Sequence, residues 1–428
     1  MLASRKRPVP LLLALTFFLA VLYYRNNADR IQWTSPSIEP PAEIIPANRT
    51  LGFGAIVAVS KERSDRRHSL LQAANVTDID LTIPKQPVWT EGDVTNFRNG
   101  QVEGVQRGSI LAWMGHHNAL RWFLDSGLET ALILEDDVDW DIRLRSVQIP
   151  LAASAARTLL SPRPRSRFAK TPKGPAEYWG DHREWDLLYL GHCGDYFNEV
   201  TEDGLVPIDD TPFNLSTMSH VVYEDPSLPV RSDLHPFTQD LFRVLRMPHH
   251  TRAFHRSRFP LCSFGYAVTR PAAERLLSDL APPKLRKKGP RAFDVALLHA
   301  CSKGENRPSP GPPGGFNPKS NPGLTKHTTG LRCWTLNSEL FHHMPGESMI
   351  ARIGEAMGEE LGIPPVDLAG QAQTMYRDET TNIDCGFWSG AFDFQDGDME
   401  RLNYLQEEVG RKGKCLKEGR DTEEDSTD

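Results

Sequence analysis

An α/β domain built on a mostly parallel sheet is predicted by three features of this chain. Short runs rich in apolar residues recur at 55–59, 131–134, 185–191 and 262–268. Segments with helical spacing lie between them. The chain has 428 residues, 39% hydrophobic and 25% charged, which is the composition of a globular body large enough to bury a full core. Strands that alternate with helices indicate a sheet with helices packed on it.

The N-terminus reads as a membrane signal. Arg5, Lys6 and Arg7 precede an apolar run from Val9 to Tyr24, interrupted by Pro10 and Thr16. The run is slightly short of the roughly 20 residues of a typical span. It closes on bulky Leu22, Tyr23 and Tyr24 rather than on the small residues of a cleavage site, so a single uncleaved transmembrane anchor is expected at 9–24. Basic charge on the short side keeps residues 1–8 cytosolic and sends the remainder into the lumen. A short span suits the thin membranes of the early secretory pathway. Residues 25–50, with Pro36, Pro40, Pro41 and Pro46, read as an extended stem.

The folded body is expected over residues 51–406. Ala55 to Val59 form its first buried strand, and the polar segment through Asp65, Arg66 and Arg67 leads into a helix containing Leu70 and Leu71. From Ser109 to Asp125, Ile110, Trp113, Met114, His117, Leu120, Phe123 and Leu124 share one broad helical face. Gly127 terminates that helix. Residues 131–134 form the next strand, followed by strands at 185–191 and 262–268 and a helix from Pro271. Residues 303–323, rich in Pro, Gly, Ser and Asn, are expected to be a flexible insertion. Residues 407–428 are charged and read as a disordered tail whose ending is not a retrieval signal.

Net charge is −7, which leaves no basic footprint for nucleic acid. All six cysteines follow the anchor and none forms a Cys-x-x-Cys pair, which argues against a zinc site. In an oxidising lumen some of them are expected to be disulfide-bonded, with 15 pairings open. Asn48, Asn75 and Asn214 head glycosylation sequons.

The strongest chemical signal is Glu135-Asp136-Asp137, placed directly at the end of the strand 131–134 with Asp139 close behind. Carboxylates at the carboxyl edge of an α/β sheet stand where ligands bind. So many adjacent acids repel unless a cation joins them, and Mg²⁺ or Mn²⁺ bridges carboxylates to substrate phosphates. An acidic turn exposed to solvent is the plainer explanation of the same residues.

The run from Gly108 through His116, then Ala119-Leu120, Gly127-Leu128 and residues 132–138, resembles glycosyltransferase family 25, which includes lipooligosaccharide and procollagen galactosyltransferases. Residues 185–191 resemble the family's next strand. Phe264 to Thr269, with Ala272, Ala273, Leu276 and Leu277, resembles a further block, and Phe293-Asp294 stands where the family has Pro-Val-Asp-Glu. Residues 55–67 resemble its opening strand and Asp-Arg-Arg segment. Leu111, Ala112, Gly115 and Val295 depart from the pattern, which weakens the carry-over on the acceptor side.

The resemblance implies a GT-A-like nucleotide-sugar-binding domain, a UDP-sugar donor (UDP-galactose in the best-known members), Mn²⁺ or Mg²⁺, and inversion at the anomeric carbon. The acceptor would be a hydroxyl on a glycan or glycoprotein, and the enzyme a type II protein of the Golgi or endoplasmic reticulum membrane. Asp136 and Asp137 are the expected metal ligands. Glu135 would support them or contact the donor ribose. His343, beside His342, is the candidate third ligand or diphosphate contact, and His116 and Arg66 are candidate donor contacts. Asp294 is the candidate general base, with helix capping as its structural alternative; Asp186 is a weaker choice. The rival function is a non-catalytic lumenal binding protein with the same fold. A two-metal phosphoesterase would need more His and Asp ligands along the chain.

Overall fold

A strand buried on both faces reads as continuous apolar sequence, and four such runs form the centre of one nine-stranded sheet. The computed structural model describes residues 37–38, 41, 43–62, 64–100, 105–161, 177–195, 219–235, 238–239, 242, 247–287, 289–305, 330–344 and 379–419. Its main strands are β1 (Ser37–Ile38), β2 (Ala55–Val59), β3 (Leu81–Thr82), β4 (Thr130–Glu135), β6 (Leu187–Gly191), β8 (His220–Glu224), β9 (Thr251–Arg256), β11 (Gly265–Thr269) and β12 (Cys333–Asn337). Two short ribbons complete the β structure: β5 (Val138–Asp139) with β13 (His342–His343), and β7 (Gly194–Asp195) with β10 (Pro260–Leu261).

The sheet order is β1-β8-β9-β12-β6-β11-β4-β2-β3. It is a mixed sheet. The β1–β8, β2–β3, β2–β4 and β6–β12 pairs are parallel; β4–β11, β11–β6, β12–β9 and β9–β8 are antiparallel. The α/β class is as expected, but the parallel character is confined to half of the pairings. The reason is that apolar composition reports burial on both faces and carries no sign of strand direction.

Alternate side chains of the central strands point to opposite layers. Ala131, Ile133, Leu187, Tyr189, Tyr266 and Val268 pack beneath α3 (Arg107–Asp125), α5 (Arg270–Arg275) and α6 (Phe293–Glu305). Leu132, Leu134, Leu188, Leu190 and Ala267 pack beneath α1 (Asp65–Val76) and α4 (Ile149–Leu159). α2 (Glu91–Arg98) leans on α3, with Phe97 edge-on to Trp113. Gly115 lets α3 lie close on β2, because a Cβ there would stand 2.9 Å from Val59 Cγ1. Val59 thus occupies the space of a larger side chain at 115.

Two expected boundaries shift. Ser37–Ile38 pairs with β8, Ala47 is buried, and Asn48 Oδ1 accepts the Gly52 N–H at 2.7 Å, so the folded body reaches back into the expected stem. The expected tail is also folded through residue 419. After α7 (Met399–Leu405) a π-helical turn, Gln406–Arg411, buries Val409 and Gly410. Cys415 is bonded to Cys385, and Lys417 reaches Glu379 at 2.7 Å. Those contacts join segments far apart in sequence, which charge content alone does not reveal. The other disulfides are Cys193–Cys262 and Cys301–Cys333.

Among the described residues no helix is long and apolar enough to cross a membrane. The expected cytosolic tail and anchor lie outside the described residues, as do 306–323 of the expected insertion, Asn214 and the acidic ending from 420. Residues 303–305 belong to α6. Asn48 and Asn75 are exposed.

Candidate active site

β4 lies third from the β3 edge of the sheet, parallel to β2 and antiparallel to β11. Val59 stands opposite Glu135, so Ser60 follows β2 at the level where Asp136 follows β4. The acids therefore gather at the carboxyl end of two parallel strands, where the fold leaves a ligand-binding edge.

Each acid has a different partner. Glu135 lies on the α3–α6 side of the sheet; Ser263 Oγ donates to its Oε1 at 2.7 Å, and His116 Nε2 stands 3.6 Å from the same oxygen. Asp136 accepts from Ser60 Oγ at 2.7 Å, and burial raises its pKa against that hydrogen bond. Asp137 faces Arg66, which ion-pairs with Oδ2, and His343, whose Nε2 is 3.0 Å from the same atom. Burial alone would raise the Asp137 pKa, but His343 and Arg66 outweigh it and hold the carboxyl below its usual range. Burial lowers and Asp137 raises the proton affinity of His343, with a net rise.

His343 is delivered by a local device. β13 pairs antiparallel with β5, so His343 lies across from Val138, and Met344 N–H donates to the Asp137 carbonyl at 2.8 Å. His342 turns the other way, its Nδ1 2.5 Å from Glu339 Oε1. Asn382 Nδ2 donates to that oxygen at 2.6 Å. Burial works against the charge on Glu339, yet His342 brings its pKa down to about 2.

Asp294 enters from the opposite side. It lies in the first turn of α6 next to Phe293, whose ring stacks on His116 with centroids 4.3 Å apart. Burial pushes its pKa up to about 6; the Val295 N–H it accepts at 2.8 Å lowers it, and the charge of Glu135 raises it. A carboxyl with one short-range backbone contact and a pKa near neutrality is suited to take a proton. Asp186 is not. It sits at the amino end of β6, on the far edge of the sheet, and is held bidentately by Arg332 at 2.7 and 3.0 Å. That pairing outweighs burial and keeps it ionised.

Three of the expected residues thus converge directly, Asp137, Arg66 and His343, while Glu135 faces Ser263 and His116, whose ring stacks on Phe293 beside Asp294. Asp136 turns aside to Ser60. His116 is buried behind Glu135, its side chain 3% exposed, so any contact it makes with a ligand passes through Glu135. Asp139 belongs to a different structure altogether. It is fully buried and accepts N–H groups from Trp140, Phe387 and Trp388 and the Thr380 hydroxyl. Asp141 is likewise enclosed by Arg143 and the Cys385 N–H.

Among the described residues no group of three or more His, Cys, Asp or Glu side chains could hold a metal ion by itself. A smaller donor set does fit. Asp137 Oδ1 is a buried oxygen without a hydrogen-bond partner, while Oδ2 pairs with Arg66 and lies 3.0 Å from His343 Nε2. Asp137 Oδ2 and His343 Nε2, 3.0 Å apart, are spaced as neighbouring ligands of a small divalent cation, which commonly takes its remaining ligands from water and substrate phosphate. Asp136 does not join them.

No protein-family model matches the chain. The residues missed in the sequence are the polar struts: Ser60, Ser263, Tyr266 and Glu339. Ser60 was readable, since it directly follows the strand that precedes the Asp-Arg-Arg segment. Ser263 and Glu339 carry no local signal, because each acts on a residue from another element.

Proposed function

We propose that this protein is a metal-dependent glycosyltransferase of the family 25 type with a GT-A-like fold, anchored as a type II protein in the Golgi or endoplasmic reticulum membrane. It transfers a sugar, galactose in the first instance, from a UDP-sugar to a hydroxyl of a glycan or glycoprotein, with inversion. One observation carries this: acids at the end of a central strand stand with Arg66 and His343 on one side and a carboxyl of raised pKa, Asp294, on the other. A leaving diphosphate needs positive charge and an incoming hydroxyl needs a base, and the two needs are met on opposite sides of one sheet edge.

In this scheme Asp137 and His343 hold Mn²⁺ or Mg²⁺. A cation bound there would supply Lewis-acid assistance to the departing diphosphate. Arg66, with its side chain 38% exposed, presents a guanidinium of the kind that pairs with phosphate oxygens. Asp294 takes the proton of the acceptor hydroxyl as its oxygen bonds to the anomeric carbon and the bond from that carbon to the diphosphate breaks, releasing UDP. Val295 N–H holds the base in place through Oδ1.

A non-catalytic lumenal binding protein is the second reading, and one observation favours it: Asp137 is already neutralised by Arg66 and His343 within the protein. Release of UDP from a panel of UDP-sugars decides between them, using full-length protein in detergent with Mn²⁺ or with chelator. Turnover of one donor that requires Mn²⁺ and falls at least about 100-fold in Asp137→Ala is expected. Absence of turnover and of nucleotide binding in the wild-type protein would leave the binding-protein reading.

A further inference from the structure

A second concave region lies apart from the acids, between α2, α3 and the chain that follows α5. Consecutive residues of α3 serve the two places. His116 turns to Glu135, and His117 lines a cavity of about 150 Å³. An apolar cavity of that size takes a single six-membered ring. Its lining includes none of Arg66, Glu135, Asp137, Asp294 or His343.

Sequence spacing builds the walls. Met114, His117 and Arg121 fall at three- and four-residue intervals, so they share one face of α3. Phe97 faces them from α2, half-buried Trp89 from the segment just before it, and Lys284 from the chain after α5. Aromatic and apolar walls with a few polar groups are the make-up of a small-molecule site.

Those polar groups define the ligand. His117 is 1% exposed, and its Nε2 lies 2.6 Å from the Ala281 carbonyl, so that nitrogen carries the hydrogen. Burial brings its pKa down to about 4 and keeps the ring neutral. Nδ1 is therefore an acceptor, and it takes no hydrogen bond from the described residues. Arg121 and Lys284 are exposed, and no carboxylate among the described residues pairs with either. Asp93, the acid of the lining, is already spent: its Oδ2 accepts the Thr90 N–H and the Thr90 hydroxyl, each at 2.7 Å. The mouth is left cationic, the floor offers an acceptor, and Trp89 adds a flat apolar wall.

We infer that this cavity binds a uronic acid residue of a saccharide, with the ring against Trp89, the carboxylate on Arg121 and Lys284, and a hydroxyl donating to His117 Nδ1. A neutral hexose leaves both cations unmatched, and a plain aromatic acid has no hydroxyl for the imidazole. The inference stands apart from the transferase reading, because the two sites share no side chain.

Ligand-observed NMR titration of the full-length protein in detergent tests this, with methyl β-glucuronide and neutral methyl β-glucoside as probes. The glucuronide is expected to bind at least about tenfold more tightly than the glucoside. Arg121→Ala, Lys284→Ala and Trp89→Ala should each weaken it by about fivefold or more. Arg121→Lys, which keeps the charge, should retain most of the affinity, and UDP with Mn²⁺ should not displace the probe. Wild-type protein that binds no glucuronide, equal affinity for the two probes, indifference to all three alanine variants, or displacement by UDP would each overturn the inference. UDP release with Mn²⁺, measured on the same preparation, reads the transferase proposal separately, so either can fail alone. Thermal melting of each variant separates loss of fold from loss of contact.

Discussion

The acids on either side of Val138 come from one short run of sequence and end in opposite states. Asp137 keeps a buried oxygen that the described residues do not satisfy, and Glu135 is held through one oxygen by Ser263 with its side chain 21% exposed. Asp139 and Asp141 are closed off by the Trp140 N–H, by Arg143 and by the backbone and side chains of the C-terminal segment. Gly386 belongs to that closure, since a Cβ there would overlap the Asp139 carboxylate. Charge density along the chain is the same in both places. What separates a site from a structural post is whether the protein has used up the acceptors.

That contrast is most directly broken at Asp139. Asp139→Ala strips the acceptor from three N–H groups and one hydroxyl. At about 1–3 kcal/mol for each buried donor left unpaired, the total rivals the whole stability of a domain, so little folded protein is expected in circular dichroism and soluble yield. Asp137→Ala, the activity variant above, should instead fold.

Asp294 gives the next largest effect and sharpens the comparison, because its function and its stability pull in opposite directions. Burial raises its pKa to about 6 from an ordinary 3.8. The protonated form is therefore the one the fold favours; its stabilising contribution is complete below the unfolded pKa and is lost as pH rises through about 6. The base, however, must be deprotonated. Activity as kcat/KM should climb with pH through about 6, and Asp294→Asn should lower it about 10²–10⁴-fold. The same variant should melt a few degrees higher than wild type at pH 8, about 2–4 °C, and show less gain at pH 5. An unchanged melting point at both values would mean that the carboxyl is well solvated.

The smallest effect is expected at the clamp behind the closed acids. Cys415→Ser removes the Cys385–Cys415 bond and should cost about 2–4 kcal/mol, read as a lower Tm. Affinity for UDP with Mn²⁺ should stay within about twofold at low temperature, because Arg66, Asp137 and His343 are positioned by α1, β4 and β13. A parallel loss of affinity would show that the two groups of acids are one mechanical unit.

Much of the open group was legible in the sequence, since its elements are local. The strand at β4, the helix with His116, and Asp294 at a helix start all follow from apolar runs and helical spacing, and Arg66 stands just after the first strand. His343 was singled out as one of a pair, although nothing local separates it from His342; β13 assigns one ring to Asp137 and the other to Glu339. The closed group was illegible for a physical reason. Asp139 looks like a continuation of the acidic run, and its partners Phe387 and Trp388 are about as far away along the chain as the sheet core is long. The folded segment around Cys415 was lost in the same way, its charge suggesting a tail while three contacts to distant residues hold it down.

The closure of Asp139 also imposes an order on how the protein is made. Asp139 and Trp388 are 249 residues apart. At about 5–20 residues per second, roughly 10–50 s of translation separate the emergence of the acid from that of its donors. For that interval the central sheet, complete enough to collapse, carries a carboxylate whose partners have not been synthesised. A nascent chain in this state needs a chaperone or water to occupy Asp139, and a stop codon shortly before Thr380 would make the state permanent. The segment from Thr380 to Trp388 is therefore the part that licenses the middle of the sheet to become dry.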